Sequence, residues 1–212
     1  MPDKYTMEQL LEALQSTQPE TRTAAWLRAG EVGPQALEAL AKKTGDSAAK
    51  VESLKGKAAQ KEEMAQALET GRAAKRAMWK IVRSAGAPGG DPAVRQAAAQ
   101  KLAALLGADQ PLAVRREAAW MISEIGGDNC VDAVAGLLAD RELREDARMV
   151  LERIPGEKSL AALNRALNGT PPEFRNHVAH SLRVRGVEVS LGKYPSQKMV
   201  PTKQTQVRAS AP

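Results

Sequence analysis

The sequence predicts an all-α chain folded as an α-solenoid, a right-handed superhelix of about five stacked helical hairpins, and three observations carry that expectation. The first is composition: of 212 residues, 38 are Ala and 21 are Leu against a single Phe and an aromatic share of 3%. Good helix formers are plentiful and the side chains that favour sheet packing are scarce. The second is an internal repeat, a thirteen-residue block written five times with the same apolar spacing. The third is punctuation, because every copy ends in Gly or Pro, residues that permit or force the end of a helix.

The elements follow in chain order. Tyr5 to Leu14, with Leu10, Leu11 and Leu14, reads as a capping helix on the open end of the stack. The copies are Thr21 to Gly33 (TRTAAWLRAGEVG), Ala74 to Gly86 (AKRAMWKIVRSAG), Val114 to Gly126 (VRREAAWMISEIG), Leu143 to Pro155 (LREDARMVLERIP) and Phe174 to Gly186 (FRNHVAHSLRVRG). Their first, fifth, ninth and twelfth places are apolar, as in Val114, Ala118, Ile122 and Ile125. Steps of four, four and three trace one helical face. Arg185, at the twelfth place of the last copy, departs from that rule. Second helices are expected between the copies: Pro34 to Lys43, Asp128 to Ala139 and Glu157 to Asn168, with Val94 to Leu106 (VRQAAAQKLAALL), which also fits the first-helix pattern, as the partner of the second copy. Each copy and the segment after it then form a hairpin, and only stacking can bury the two stripes. Residues 46–70, rich in Lys, Ala, Gln and Glu, are expected either as an extended helix projecting from the stack or as a mobile insert. The solenoid is expected over residues 1–188, and residues 189–212 as a basic, extended or disordered arm.

The segment PLAVRREAAWMISEIGGDNCVDAVAGLLAD, Pro111 to Asp140, resembles a HEAT-like repeat of the short type found in the phycobilisome lyase family. The repeats that begin at Leu143 and Phe174, at intervals of 29 and 31 residues, also resemble it. The intervals between the first and second copies and between the second and third are 53 and 40 residues. The resemblance implies a stack of HEAT-like hairpins and a binding role, since the HEAT-type metal hydroxylases, which share the scaffold, use His-Glu dipeptides that this sequence lacks.

Charge is unevenly placed. Residues 1–140 hold 18 basic and 18 acidic side chains, so the whole net charge of +6 lies beyond Asp140. After Glu188 there are no acids, while Lys193, Lys198, Lys203 and Arg208 recur among Pro, Ser, Thr and Gln. That composition suits a flexible arm with a secondary binding role. No apolar run approaches the roughly 18 residues of a membrane span, and Met1 to Gln9 has no apolar stretch that could serve as a signal peptide, so a cytoplasmic protein is expected. The single Cys130 excludes an intramolecular disulfide and a cysteine zinc cage. No cofactor and no metal ion are expected.

Three sets of residues are candidates for function. The second place of every copy is basic: Arg22, Lys75, Arg115, Arg144 and Arg175. Equivalent places of stacked helices align at about 10 Å per layer, so these would form a ladder, serving either as a ridge for phosphates and acidic side chains or as ties from each repeat to the next through carbonyls or nearby acids such as Glu117, Glu145 and Asp146. Trp26, Trp79 and Trp120 occupy the sixth or seventh place, beside the apolar stripe, and can pack at its border or anchor a partner. The arm residues Lys193, Lys198, Lys203 and Arg208 form the third set. His177 and His180 lie one turn apart without an evident third ligand, and Cys130 stands at a helix start without a neighbouring His. No phosphate loop, serine nucleophile motif or acid pair for proton transfer is present. The expected function is a non-catalytic scaffold or adaptor that binds a protein partner through its solenoid surface. Two alternatives are a nucleic-acid module similar to the HEAT-like DNA glycosylases and an auxiliary subunit like those of the bilin lyases.

Overall fold

A computed structural model of the chain describes residues 4–196. Lys198, Lys203 and Arg208 lie outside the described residues. Among the described residues ten α-helices follow one another: α1 (Met7–Ala13), α2 (Pro19–Val32), α3 (Leu37–Leu54), α4 (Lys61–Ala85), α5 (Pro92–Ala104), α6 (Leu112–Ile125), α7 (Asp128–Gly136), α8 (Arg144–Arg153), α9 (Glu157–Gly169) and α10 (Pro172–Val184). Among the described residues there is no strand. Local chemistry sets several helix starts. The Thr6 hydroxyl accepts from the Gln9 backbone N–H while the Gln9 side chain accepts from the Thr6 N–H, a reciprocal pair that satisfies two otherwise unpaired donors. The Asp91 side chain accepts from the Ala93 N–H ahead of α5, and a proline stands in the first turn of α2, α5 and α10.

The helices form two layers. Helices α2, α4, α6, α8 and α10, which carry the five copies, pack in sequence as the first layer, and α3, α5, α7 and α9 form the second. The repeated code is what stacks them. Of the twenty coded apolar places, all but Thr21 and Arg185 are buried, and their side chains join one continuous core that runs from Leu10 to Leu182. The fold is an all-α solenoid.

Three details differ from the expectations. A second-layer helix packs more closely on the first-layer helix that follows it than on the one before, so α3 lies on α4, α5 on α6, α7 on α8 and α9 on α10. Residues 46–70 are helical, as two helix ends and not one helix: they lengthen α3 and α4 into one long pair joined by a short turn. Ser47, Leu54, Ala67 and Thr70 are buried along that pair, and a Cβ on Gly71 would fall 2.9 Å from the Ser47 Cβ, which shows how closely the helices approach. Finally, left-handed closure holds at Gly33 and Gly186, with φ of 87° and 81°, but Gly86 and Gly126 have negative φ. There a side chain is excluded by crowding, since a Cβ at Gly86 would meet Ile125 Cγ2 at 2.6 Å and one at Gly126 would meet the Ile122 carbonyl at 2.6 Å.

Candidate interaction face

Most of the second-place cations are tied to the protein itself. The Arg22 Nη1 donates to the Ser16 carbonyl at 2.7 Å, the Arg115 Nε to the Leu106 carbonyl at 3.1 Å and the Arg175 Nε to the Thr170 carbonyl at 2.9 Å. Each of these carbonyls lies at or just beyond the end of the helix that precedes the arginine's own, where backbone oxygens lack partners within the helix. A guanidinium there satisfies them and complements the negative end of the dipole. Arg115 also pairs with Asp140 at 3.0 Å, and Arg144 with Glu173 at 3.6 Å while lying 5.1 Å from the Phe174 ring centroid. Lys75 meets Glu117 at 3.4 Å and keeps much of its side chain in solvent. Arg185 serves the same purpose as the ladder arginines. It reaches the Leu151, Ile154 and Gly156 carbonyls at the end of α8 at 3.2, 2.8 and 3.1 Å, which explains why the last copy forgoes an aliphatic residue.

The three tryptophans share the first layer, on α2, α4 and α6, and each is half-buried. The Trp79 indole N–H donates to Glu117 and the Trp120 indole N–H to Asp146 at 2.8 Å. Glu117 and Asp146 occupy the same fourth place of consecutive copies, each one helix further along the stack. At Trp26 the corresponding place on α4 is Ala77, and the buried Trp26 Nε1 has no partner. Guanidinium groups lie over all three rings: Arg76 at 5.9 Å from Trp26, Arg83 at 5.1 Å from Trp79 and Arg153 at 5.5 Å from Trp120, a favourable placement of a cation on an electron-rich face. Arg116 bridges α6 to Asp146 at 2.9 Å, and Arg148 joins Glu145 at 2.8 Å and Glu152 at 3.3 Å. The face is therefore a band of aromatic rings, guanidinium groups and carboxylates that runs across the helices. The sequence pointed to Glu117, Glu145 and Asp146 as partners of the second-place cations but not to their bonds with the indoles, and the ring-covering arginines escaped it.

Other candidates resolve simply. His177 pairs with Glu145 and lies 5.8 Å from the Phe174 ring centroid, while His180 is exposed. Among the described residues no group of three or more His, Cys, Asp or Glu side chains could hold a metal ion. Cys130 is fully buried, with its thiol against the Ala99 carbonyl at 3.6 Å. Burial pushes the thiol above its ordinary range, so the helix start confers no thiolate character. The fold favours the neutral thiol, and this contribution is complete below the unfolded pKa and declines as pH rises above it. Lys193, in the stretch expected to be a free arm, is exposed and lies 5.3 Å from the ring centroid of Tyr194. Tyr194 itself is buried, Val189 packs on the core, and the Arg183 guanidinium donates to the carbonyls of Val189, Ser190 and Tyr194. No helix among the described residues is long and apolar enough to cross a membrane.

A family model of HEAT repeats matches residues 99–183, a span that runs from late α5 through most of α10 and contains Trp120 and the Arg116, Asp146 and Arg148 network. None of the curated proteins compared with the chain matches it.

Proposed function

We propose that this chain is a non-catalytic scaffold that holds a protein partner against the outer face of its first helix layer. The observation that carries the reading is the placement of Trp26, Trp79 and Trp120 in one band, half-buried, each beneath a guanidinium group. Tryptophan and arginine are the residues that contribute most at protein interfaces, and here their side chains are held in place before any partner arrives. A stack of helical hairpins provides the extended surface that such binding uses, and the HEAT repeat match over residues 99–183 agrees with that role. Lys75 and Arg144 border the band, whereas Arg22, Arg115 and Arg175 serve it by fixing the helix ends beneath. Lys193, Lys198, Lys203 and Arg208 supply a secondary contact through charge. The particular kinship with the phycobilisome lyase repeat rests on the Pro111 to Asp140 unit. The lone thiol of Cys130 suits a reducing compartment, and we place the protein in the cytoplasm.

The test is affinity purification from the source cell, with and without residues 197–212, before and after nuclease treatment. A stable protein partner that survives nuclease and is held more weakly by the shortened chain supports the reading. Recovery of no partner by either form overturns it, and recovery abolished by nuclease turns it towards the nucleic-acid alternative.

A further inference from the structure

Resting on the scaffold reading, we infer that the part of the band on α2 and α4 is the docking place for an acidic protein segment that carries large apolar side chains. Most outward cations of α6 and α8 meet acids of their own or the neighbouring helix: Arg116 meets Asp146 at 2.9 Å and Arg148 meets Glu145 at 2.8 Å, whereas Arg153 meets the Trp120 ring and Ser123. On α4 the outward places hold Lys75, Arg76, Lys80 and Arg83. Lys75 and Arg83 face α6 and pair with Glu117 at 3.4 Å and Glu124 at 3.8 Å. Arg76 lies over Trp26 of α2, whose exposed places include Glu20, Thr23, Ala24, Leu27 and Glu31, the last paired with Arg28, and among the described residues neither Arg76 nor Lys80 lies within ion-pair distance of a carboxylate.

The apolar part of the patch adjoins these cations. Leu27 is 47% exposed. Arg76 and Lys80 stand one turn apart on α4. The helices meet closely there, since a Cβ on Gly30 would lie 3.7 Å from the Lys80 carbonyl oxygen and 2.4 Å from the Ser84 Oγ. Trp26 lies beside Leu27 beneath the Arg76 guanidinium. An apolar pad flanked by two cations without acidic partners is complementary to a segment that alternates Asp or Glu with Leu or Phe. Desolvation by such a segment would strengthen the attraction of its carboxylates for Arg76 and Lys80.

The test uses the full chain and a fluorescently labelled synthetic peptide of Glu, Asp, Leu and Phe. A peptide with Lys in place of its acids and a single-stranded oligonucleotide of the same charge serve as comparisons. The acidic peptide is expected to bind at low salt and the basic one to remain free. The paired change Arg76→Glu and Lys80→Glu should weaken binding by about tenfold or more, a difference of about 1.4 kcal/mol. Leu27→Ser should weaken it by a smaller factor, and Arg165→Glu on α9 should leave it unchanged. The milder pair Arg76→Gln and Lys80→Gln reads the same effect should the charge reversal unfold the chain. Absence of binding, equal binding by the paired variants, or preference for the oligonucleotide overturns the inference. In the purification described above, a charge-reversed chain that keeps its partners sinks this patch alone, whereas a native chain that has no partner sinks the scaffold reading.

Discussion

Trp26, Trp79 and Trp120 have similar surroundings and differ in one respect that can be measured. Glu117 and Asp146 accept from the second and third indoles, but the place that would serve the first is filled by Ala77. Replacement by Phe removes the N–H and a similar amount of ring at each site, so the comparison isolates the hydrogen bond. Trp79→Phe and Trp120→Phe are expected to cost about 1 kcal/mol more than Trp26→Phe in urea unfolding, because a hydrogen bond to a charged group is lost only in the first two. Trp26→Phe also relieves a buried donor of its unmet demand, which lowers its cost further. Equal losses at all three positions would show that ring packing alone decides. At this scale the sequence disclosed the tryptophans and their register. It did not disclose which of them has an acceptor, because that depends on which residue of the next helix arrives opposite.

Helix ends in this protein are closed from outside the helix. Arg22, Arg115, Arg175 and Arg185 each reach carbonyls at or beyond the end of another helix, and they couple one element to another through a charge-assisted bond. Arg185→Leu provides the sharpest test, because it restores the aliphatic residue that the repeat calls for and a reading of the pattern alone would judge it stabilising. The structure predicts the reverse. The change leaves the end of α8 without its donor and exposes the buried Ser159 hydroxyl, 3.0 Å from the guanidinium, to a similar loss, so a cost of about 2 kcal/mol is expected in thermal or urea unfolding. A variant as stable as the native chain would show that the contacts at α8 are incidental. The same scale explains the fate of residues 46–70. Sparse apolar residues suggested a segment outside the stack, but small side chains at Ser47, Ala67 and Gly71 let α3 and α4 approach closely enough to bury one another, and small residues give little signal in an apolar pattern.

Each layer of the solenoid touches only its neighbours, so stability is expected to propagate along the stack and to be weakest where it ends. The last helix, α10, is covered by residues 187–194 rather than by another hairpin, with Val187 and Val189 on the core, Tyr194 buried and Arg183 holding three carbonyls of the segment. A chain that ends at Glu188 is expected to lose about 2 kcal/mol through the apolar area of Val189 and Tyr194, with faster amide exchange in α10 and little change in α2. Unchanged exchange in α10 after the shorter truncation would show that the segment does not close the stack.

The sequence by itself determined that the chain is helical, where the copies lie and which side of each is buried, because these follow from a period of 3.6 residues and from the positions of Ala, Leu and Gly. It also placed the tryptophans beside that stripe. Only the tertiary structure decided which helix each second-layer helix embraces, that most of the second-place cations close helix ends or pair with acids, and that Arg76 and Lys80 lack acids while Arg116 and Arg148 have them. The physical reason is the same in each case. Burial is set by a residue's place on its own helix, whereas the partner of a charge or an indole N–H is set by the side chain that a neighbouring helix brings within about 3 Å of it, and periodicity along one chain carries no record of that meeting.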